Sequence, residues 1–432
     1  MTLSLMIVRL TCDRVRRHTA ARRSTKSIPR RDMFPAPRSL ATAACALTIG
    51  LFAAGCGGDE PSDEASASGG SAATASTGPI ASPEAAKAFK AVTGLDALER
   101  PATAEELAPR VAAYQEVPTK LLAAEPVSKK AEPGKEIAIL YTGVPIAIEY
   151  YEAQKQAAEL LGWKVTGIDV GTNPEEFAQA YDRAIGLKPD MVIGSGIPRE
   201  YLDKQLTELQ RLKIPVIQWS SGVQPVDGSL YVAVDDPLYM AAGIQTSEFL
   251  AADGDMKADV VGFSVKQYAM IDVFTKSIDA YMEKMCAECS FDLQQVAAAD
   301  VGKLAPKVTA YLQQHPDTKY VLCGFGDLCQ GVGTALKAAG RSDVKIMTRD
   351  PASTNYQNIA NGQEWAGGAL PIGQTSWQVI DLAQRVFNGD DTTTSRLMPQ
   401  QIVTDVPDPK SALIGAVPDY QAQYRKLWKL DD

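Results

Sequence analysis

At 432 residues with 45% hydrophobic side chains, the chain is long enough for two or three domains with real cores. The net charge of −9 conceals an asymmetry: residues 1–55 hold ten Arg or Lys against Asp13 and Asp32, a balance of +8, which leaves −17 on the remainder. An acidic body argues against nucleic acid and anionic membrane surfaces as partners. The two histidines, His18 and His315, are too few for most metal-site or triad chemistry.

Residues 1–38 are Arg-rich, and residues 39–55 form an uncharged, alanine-heavy run ending Phe52-Ala53-Ala54-Gly55-Cys56. A basic region, an apolar region and small residues before a cleavage point make a secretory signal. A transmembrane helix is the alternative, and the run is short for one. The string at Cys56 resembles a bacterial lipobox, with Ala53 where leucine is usual, so residues 1–55 read as leader and Cys56 as the lipidation site. Arg30-Arg31 resembles a twin-arginine export signal, and Met33 is an alternative start. Residues 56–80 are rich in Ser, Ala, Gly and Thr, a tether with nothing to bury. The expected location is extracytoplasmic, on the cell membrane as a lipoprotein.

Residues 81–133 form a polar extension with helices predicted near 83–92 and 104–114, the second opened by Thr103 with Glu105 and Glu106. Neither is strongly amphipathic, which suits a stalk or a loosely docked segment. The stretch 136–143 then holds a continuous apolar segment of strand length, which suits a strand buried on both faces. Residues 148–161 follow as a helix, with Tyr150, Ala153 and Ala157 at helical spacing. In a parallel sheet, ligands bind outside the carboxyl ends of strands, so the loop 141–147, with Thr142 and Ile146, looks into a site.

Strands are predicted at 163–169, 191–194, 215–219 and 231–234, with helices near 174–185 and 198–212. After Asp235-Asp236 the alternation restarts. It runs through helix 238–250, strand 259–263, helix 269–285, strand 293–297, helix 303–314, strand 320–323, helix 328–339 and strand 344–347. Helix 353–360, strand 365–369, helix 375–387, strand 401–404 and helix 420–427 complete it. Two sets of parallel βα units predict two α/β lobes facing each other across a cleft. His315 falls in a helix-ending turn as an exposed loop residue.

Beyond the leader, Cys286, Cys289, Cys323 and Cys329 remain, an even number in an oxidising compartment. Disulfides are favoured, with three possible connectivities; spacing prefers Cys286–Cys289 and Cys323–Cys329. A four-thiolate zinc site is the runner-up and a redox CxxC a third reading.

Several strings between 136 and 390 resemble the ribose-type (type I) periplasmic binding proteins of bacterial ABC importers. Ile214-Pro215-Val216-Ile217 matches that family's I-P-V-I strand, and Val232-Ala233-Val234-Asp235-Asp236 its crossing between lobes. The longest match runs from His315-Pro316-Asp317 through 320–323 and Gly331 to Gly340, then to Asp350. The resemblance implies two doubly wound parallel-sheet lobes joined by a three-segment hinge. The first lobe would be 134–235, the second 236–370, with a return to the first at 371–395 and a terminal second-lobe segment at 396–432. It also implies a monomer that captures a solute by lobe closure and delivers it to a permease.

The family's acidic ligand residue falls on Asp350, whose carboxylate would accept hydrogen bonds from ligand hydroxyls; capping of the helix at 353 is the alternative. The family's other polar ligands fall on Ser220-Ser221 beside Trp219, near Phe325-Gly326 with Asp327 close behind, and near Leu370-Pro371. Hydroxyls and rings thus replace an arginine and two amides. Trp219, Tyr268, Phe325 and Trp365 are candidate stacking surfaces, with core packing the alternative for each. Such a pocket suits a less polar or aromatic ligand, or a sugar held by stacking.

The leading reading is a lipid-anchored solute-binding protein, with no cofactor and no catalysis. A sensory module reporting the same ligand to a membrane receptor or kinase would look identical in sequence. An enzyme using Asp327 and Asp350 is the third reading. The chain has no P-loop, no GxGxxG after a strand and no GxSxG elbow.

Overall fold

A computed structural model describes residues 80–122, 125–226 and 228–431; the leader, Cys56 and the tether up to residue 79 lie outside the described residues. Two helices come first. In α1 (Pro83–Thr93) the Ser82 hydroxyl accepts from the Ala85 N–H, and the helix stops at Gly94, whose φ of 76° suits glycine. In α2 (Ala104–Gln115) Thr103 and Glu106 form a reciprocal capping box.

The first lobe runs β1 (Glu136–Tyr141), α3 (Pro145–Leu160), β2 (Lys164–Asp169), α4 (Pro174–Leu187), β3 (Met191–Ser195), α5 (Asp203–Arg211), β4 (Val216–Trp219) and β5 (Leu230–Ala233). Its strands are parallel, in the order β2-β1-β3-β4-β5. The chain crosses at Val234 to Asp236 and repeats the scheme. It forms α6 (Asp236–Asp253), β6 (Asp259–Ser264), α7 (Ala269–Met285), β7 (Ser290–Gln295), α8 (Ala305–Gln314) and β8 (Tyr320–Cys323). Then come α9 (Val332–Ala338), β9 (Lys345–Arg349), α10 (Ser353–Ala360) and β10 (Ala366–Ala369). Finally α11 (Ile372–Asn388) packs on α3, β11 (Gln401–Val403) joins the second sheet, and α12 (Tyr420–Leu427) follows. The second sheet is ordered β11-β10-β9-β8-β6-β7, the same winding plus one antiparallel strand. Both sheets therefore point their carboxyl ends at one interlobe crevice.

Four expectations need correcting. The predicted strand 293–297 starts three residues earlier, at Ser290, because β7 is a partly exposed edge strand without an apolar run. The helix predicted over 328–339 splits into a 3-10 turn at Gly326–Cys329 and α9, separated by Gly331 at φ 74°. Residues 396–432 do not form one second-lobe segment. Trp428 stacks on Trp377 of α11 at 4.8 Å and donates its indole N–H to Asp381 at 2.8 Å, which places α12 on the first lobe.

The fourth correction concerns 81–133, which is not a loosely docked stalk. α1 and α2 cover α6, a helix buried along nearly its whole length. The fully buried Glu248 carboxylate of α6 accepts two hydrogen bonds from Arg110, at 2.6 and 2.8 Å. Tyr114 and Tyr281 donate to it at 2.5 and 2.9 Å. Beyond α2, the backbone at Glu125 and Ser128 is held by Arg385 and Asp390 of the first lobe. The extension thus adds a tie between the lobes. α2 is weakly amphipathic because it recognises α6 through a buried ion pair as much as through apolar contact, whereas α1 buries Ala85, Ala88 and Phe89.

Arg110→Met should leave the Glu248 charge without its cation inside the protein, which costs about 3–5 kcal/mol. A denaturant titration should show a lowered midpoint; an unchanged one would mean that the extension does not support the core.

Candidate functional site

The crevice encloses about 610 Å³ of atom-free space, part of it open to solvent. From the first lobe, Thr142, Val144, Ile146 and Tyr150 line it after β1, Ser195 and Gly196 after β3, and Trp219 and Ser220 after β4. The second lobe contributes Tyr239 from α6, Tyr268 after β6, Met270 and Ile271 from α7, Phe325 after β8 and Asp350 after β9. Every loop named here, including the one that bears Tyr268 after β6, leaves the carboxyl end of a central strand, and Tyr239 stands in the first turn of α6. Rings dominate the wall. Tyr150 meets Trp219 edge to face at 4.9 Å, and Tyr268 meets Phe325 in the same way at 5.7 Å.

Asp350 is the acid of this wall. It is 6% exposed and adopts φ 48°, a left-handed conformation that aspartate tolerates better than most residues. Its Oδ2 accepts from the Tyr239 hydroxyl at 3.0 Å, while Oδ1 lies 2.6 Å from the Arg349 guanidinium without hydrogen-bond alignment. Arg349 is itself buried, donates to the Gly368 carbonyl at 2.7 Å and lies over the Tyr239 ring at 5.3 Å. Burial raises the Asp350 pKa, and Arg349 opposes that shift. Oδ1 is buried against the Arg349 cation and has no hydrogen-bond partner of its own.

Tyr239 joins the lobes. Its hydroxyl lies 2.7 Å from Ser220 Oγ of the first lobe and 3.0 Å from Asp350 of the second. Burial raises its pKa, so the phenol stays protonated and donates. Ser220, like Asp350, is held in a left-handed conformation (φ 51°) that turns the chain sharply at a strand end.

Of the residues singled out in the sequence, Thr142, Ile146, Trp219, Ser220, Tyr268, Phe325 and Asp350 meet around this cavity. Asp327 does not line it: its Oδ2 faces the Ile146 N–H at 3.3 Å and its Oδ1 accepts from Gln330 at 3.0 Å. Trp365 stacks on Phe249 at 4.7 Å inside the second lobe, so the packing alternative applies to it. His315 is exposed and stacks on Tyr311. The four cysteines are joined as Cys286–Cys289 and Cys323–Cys329.

Sequence reading missed Tyr150, Ser195, Tyr239 and Arg349. Tyr150 lies one helical turn after Ile146, and Ser195 ends a strand beside the first, so both could have been found. Nothing local marks Tyr239 or Arg349.

Behind the wall, Asn355 organises the loops. Its side chain donates to the Gly326 carbonyl at 3.1 Å and to Glu364 at 2.9 Å, and accepts from the Ala352 N–H at 2.9 Å. Glu364 has amide donors but no cation in this set, and burial pushes its pKa up to about 7 from an ordinary 4.5.

The family model for the periplasmic binding protein domain matches residues 138–391, more than half the chain. The chain belongs to that family, and its two lobes have the type I periplasmic binding protein fold. No curated protein matches it. Among solved structures, a sugar ABC transporter protein from Yersinia enterocolitica subsp. enterocolitica 8081 superposes with a TM-score of 0.60 at 18% identity, covering 70% of this chain and 96% of its own. A 5-methylthioribose transporter solute-binding protein from Thermotoga lettingae TMO, in complex with 5-methylthioribose, gives 0.60 at 16% identity, covering 70% and 100%. A solute-binding protein from Agrobacterium vitis with bound allitol gives 0.54 at 19%, covering 68% and 99%. At these identities the likeness shows the fold.

The Glu364 shift gives a signed pH effect. The folded protein keeps this proton between pH 4.5 and 7 while the unfolded chain has lost it, so stability falls as pH rises through that window. Relative to Glu364→Gln, the wild type should lose on the order of 3 kcal/mol between pH 4 and pH 8. Parallel urea titrations of the two proteins check this; a constant difference across the range would contradict it.

Proposed function

We propose that this chain is an extracytoplasmic solute-binding protein that closes its lobes over one small molecule and hands it to an ABC permease. Lipid on Cys56 would hold it at the membrane as a monomer, and 56–80 would serve as its tether. The observation that carries this reading is the placement of Asp350: a buried carboxylate that lines the cavity among rings from both lobes, just after a central strand of the second sheet. No step of this cycle makes or breaks a bond, and it needs no cofactor.

The lining also describes the ligand. Asp350 and the Ser220, Ser195 and Thr142 hydroxyls can hold a few ligand hydroxyls, whereas Trp219, Phe325, Met270 and Leu370 offer apolar surface. A sugar or polyol bearing an apolar or aromatic substituent fits this division better than a ligand polar on every face. The 5-methylthioribose complex of the Thermotoga lettingae neighbour is an instance of such chemistry on this fold. A few hydrogen bonds and two stacked faces are consistent with roughly micromolar capture, about −8 kcal/mol.

A thermal-shift screen of residues 80–432 against pentoses, hexoses, polyols, thioether-substituted sugars and small aromatics tests this reading. A bound ligand raises the melting temperature by mass action. The substituted sugars should outrank unsubstituted hexoses, and a flat response across the panel would contradict the reading. Asp350→Asn should weaken the best ligand by about tenfold or more, about 1.4 kcal/mol. Asparagine is the informative change, since alanine would leave Arg349 without any acceptor at that position.

A further inference from the structure

Helix α3 begins without a cap of its own. Its N-cap residue is Val144, which has no side-chain acceptor, and Pro145 has no N–H to satisfy. The first donor of the helix is the Ile146 N–H, and its acceptor is Asp327 Oδ2, 3.3 Å away and on the other lobe. The cap is thus supplied in trans, across the crevice, by a carboxylate at the positive end of the helix dipole. Asp327 is 1% exposed and makes no part of the cavity wall. One turn further along α3, Glu149 accepts from Ser353 of the second lobe at 2.7 Å, a second bond across the same crevice.

The loop that carries Asp327 is fixed independently of any ligand. Cys323 and Cys329 close it with a disulfide at its two ends. Gly326 donates its N–H to the Asp350 carbonyl at 3.2 Å and its carbonyl accepts from Asn355. A Cβ on Gly326 would fall 2.7 Å from the Ala352 nitrogen and 2.9 Å from the Asp350 oxygen, so only glycine lets the loop lie this close to the Asp350 turn. One stapled loop therefore carries both Phe325, which faces the cavity, and Asp327, which faces the opposing helix.

We propose that Asp327 is a closure latch and not a ligand contact, and that the Cys323–Cys329 disulfide positions it to cap α3 when the lobes meet. The proposal rests on the clamp reading above. When the lobes part, the Ile146 N–H and the carboxylate return to water; when they meet, each satisfies the other. The latch biases the open–closed equilibrium by the same amount whatever molecule occupies the cavity.

That uniformity separates a positioning residue from a recognition residue. Asp327→Ala should weaken every ligand of the panel by one common factor, on the order of tenfold, and leave their ranking intact. Asp327→Asn, which keeps an acceptor oxygen, should recover part of the loss. Phe325→Ala should instead reorder the panel. Reduction of the disulfide, or the Cys323→Ser, Cys329→Ser pair, should reproduce the uniform loss; should that pair fail to fold, Asp327→Ala still decides.

A ligand-independent arm uses spin labels at the exposed positions Lys204 and Lys337, one on each lobe. The closed population in the ligand-free protein should be smaller in Asp327→Ala than in the wild type. Equal populations, unchanged affinities or a reordered panel would each overturn the latch. If nothing in the panel binds the wild type, the solute-binding reading fails, and the label distances still decide the role of Asp327.

Discussion

The site is built around one buried contact chain, Ser220 to Tyr239 to Asp350 with Arg349 behind it. Asp350 and Arg349 are adjacent residues leaving β9, and neither could be held away from water alone. Together they put a charge pair in the second lobe that must be enclosed on every side. Tyr239 encloses it from above the guanidinium and links it by a hydroxyl to the first lobe. This constraint explains why the first turn of α6, directly after a crossing, carries a residue of the cavity. It also explains why strand ends at Ser220 and Asp350 accept left-handed backbone: the sharp turns bring the two side chains to one phenol.

The three crossings bring these groups to one place. Between β5 and α6, Val234 donates its N–H to the Ser395 carbonyl, and Asp235 pairs with Arg396 at 2.6 Å, so two crossings are bonded to each other. Burial raises the Asp235 pKa to about 6 despite that arginine. The N-terminal extension adds its own attachment to both lobes. The three neighbours described cover 68–70% of this chain while matching nearly all of their own lengths, so part of this chain has no counterpart in them.

Most of the fold could be read from the sequence because parallel sheets covered on both faces leave continuous apolar runs. The runs at 136–141, 216–219 and 320–323 are of this kind, and each appears as a strand at almost the expected bounds. Strand ends then located Thr142, Trp219 and Phe325 at the crevice, and the family resemblance located Asp350 there. Where the rule failed, the reason is specific. Asp327 follows the same strand as Phe325, but it lies in the 3-10 segment of the disulfide-closed loop and faces α3, away from the cavity. Tyr239 and Arg349 act through tertiary contacts, 111 residues apart in sequence for the Tyr239–Asp350 bond, and no local pattern announces such a partner. The docking of α1 and α2 was hidden in the same way, since Arg110 and Glu248 meet across 138 residues.

A ligand held between lobes by Asp350 and by rings from both sides is the claim on which everything here turns. A crystal structure of residues 80–432 with the strongest ligand from the screen examines it directly. The account predicts density bridging Asp350 and Ser220, with the apolar part of the molecule against Trp219 and Phe325. Density at another surface, with the crevice empty or Asp350 still facing only Tyr239 and Arg349, would contradict it.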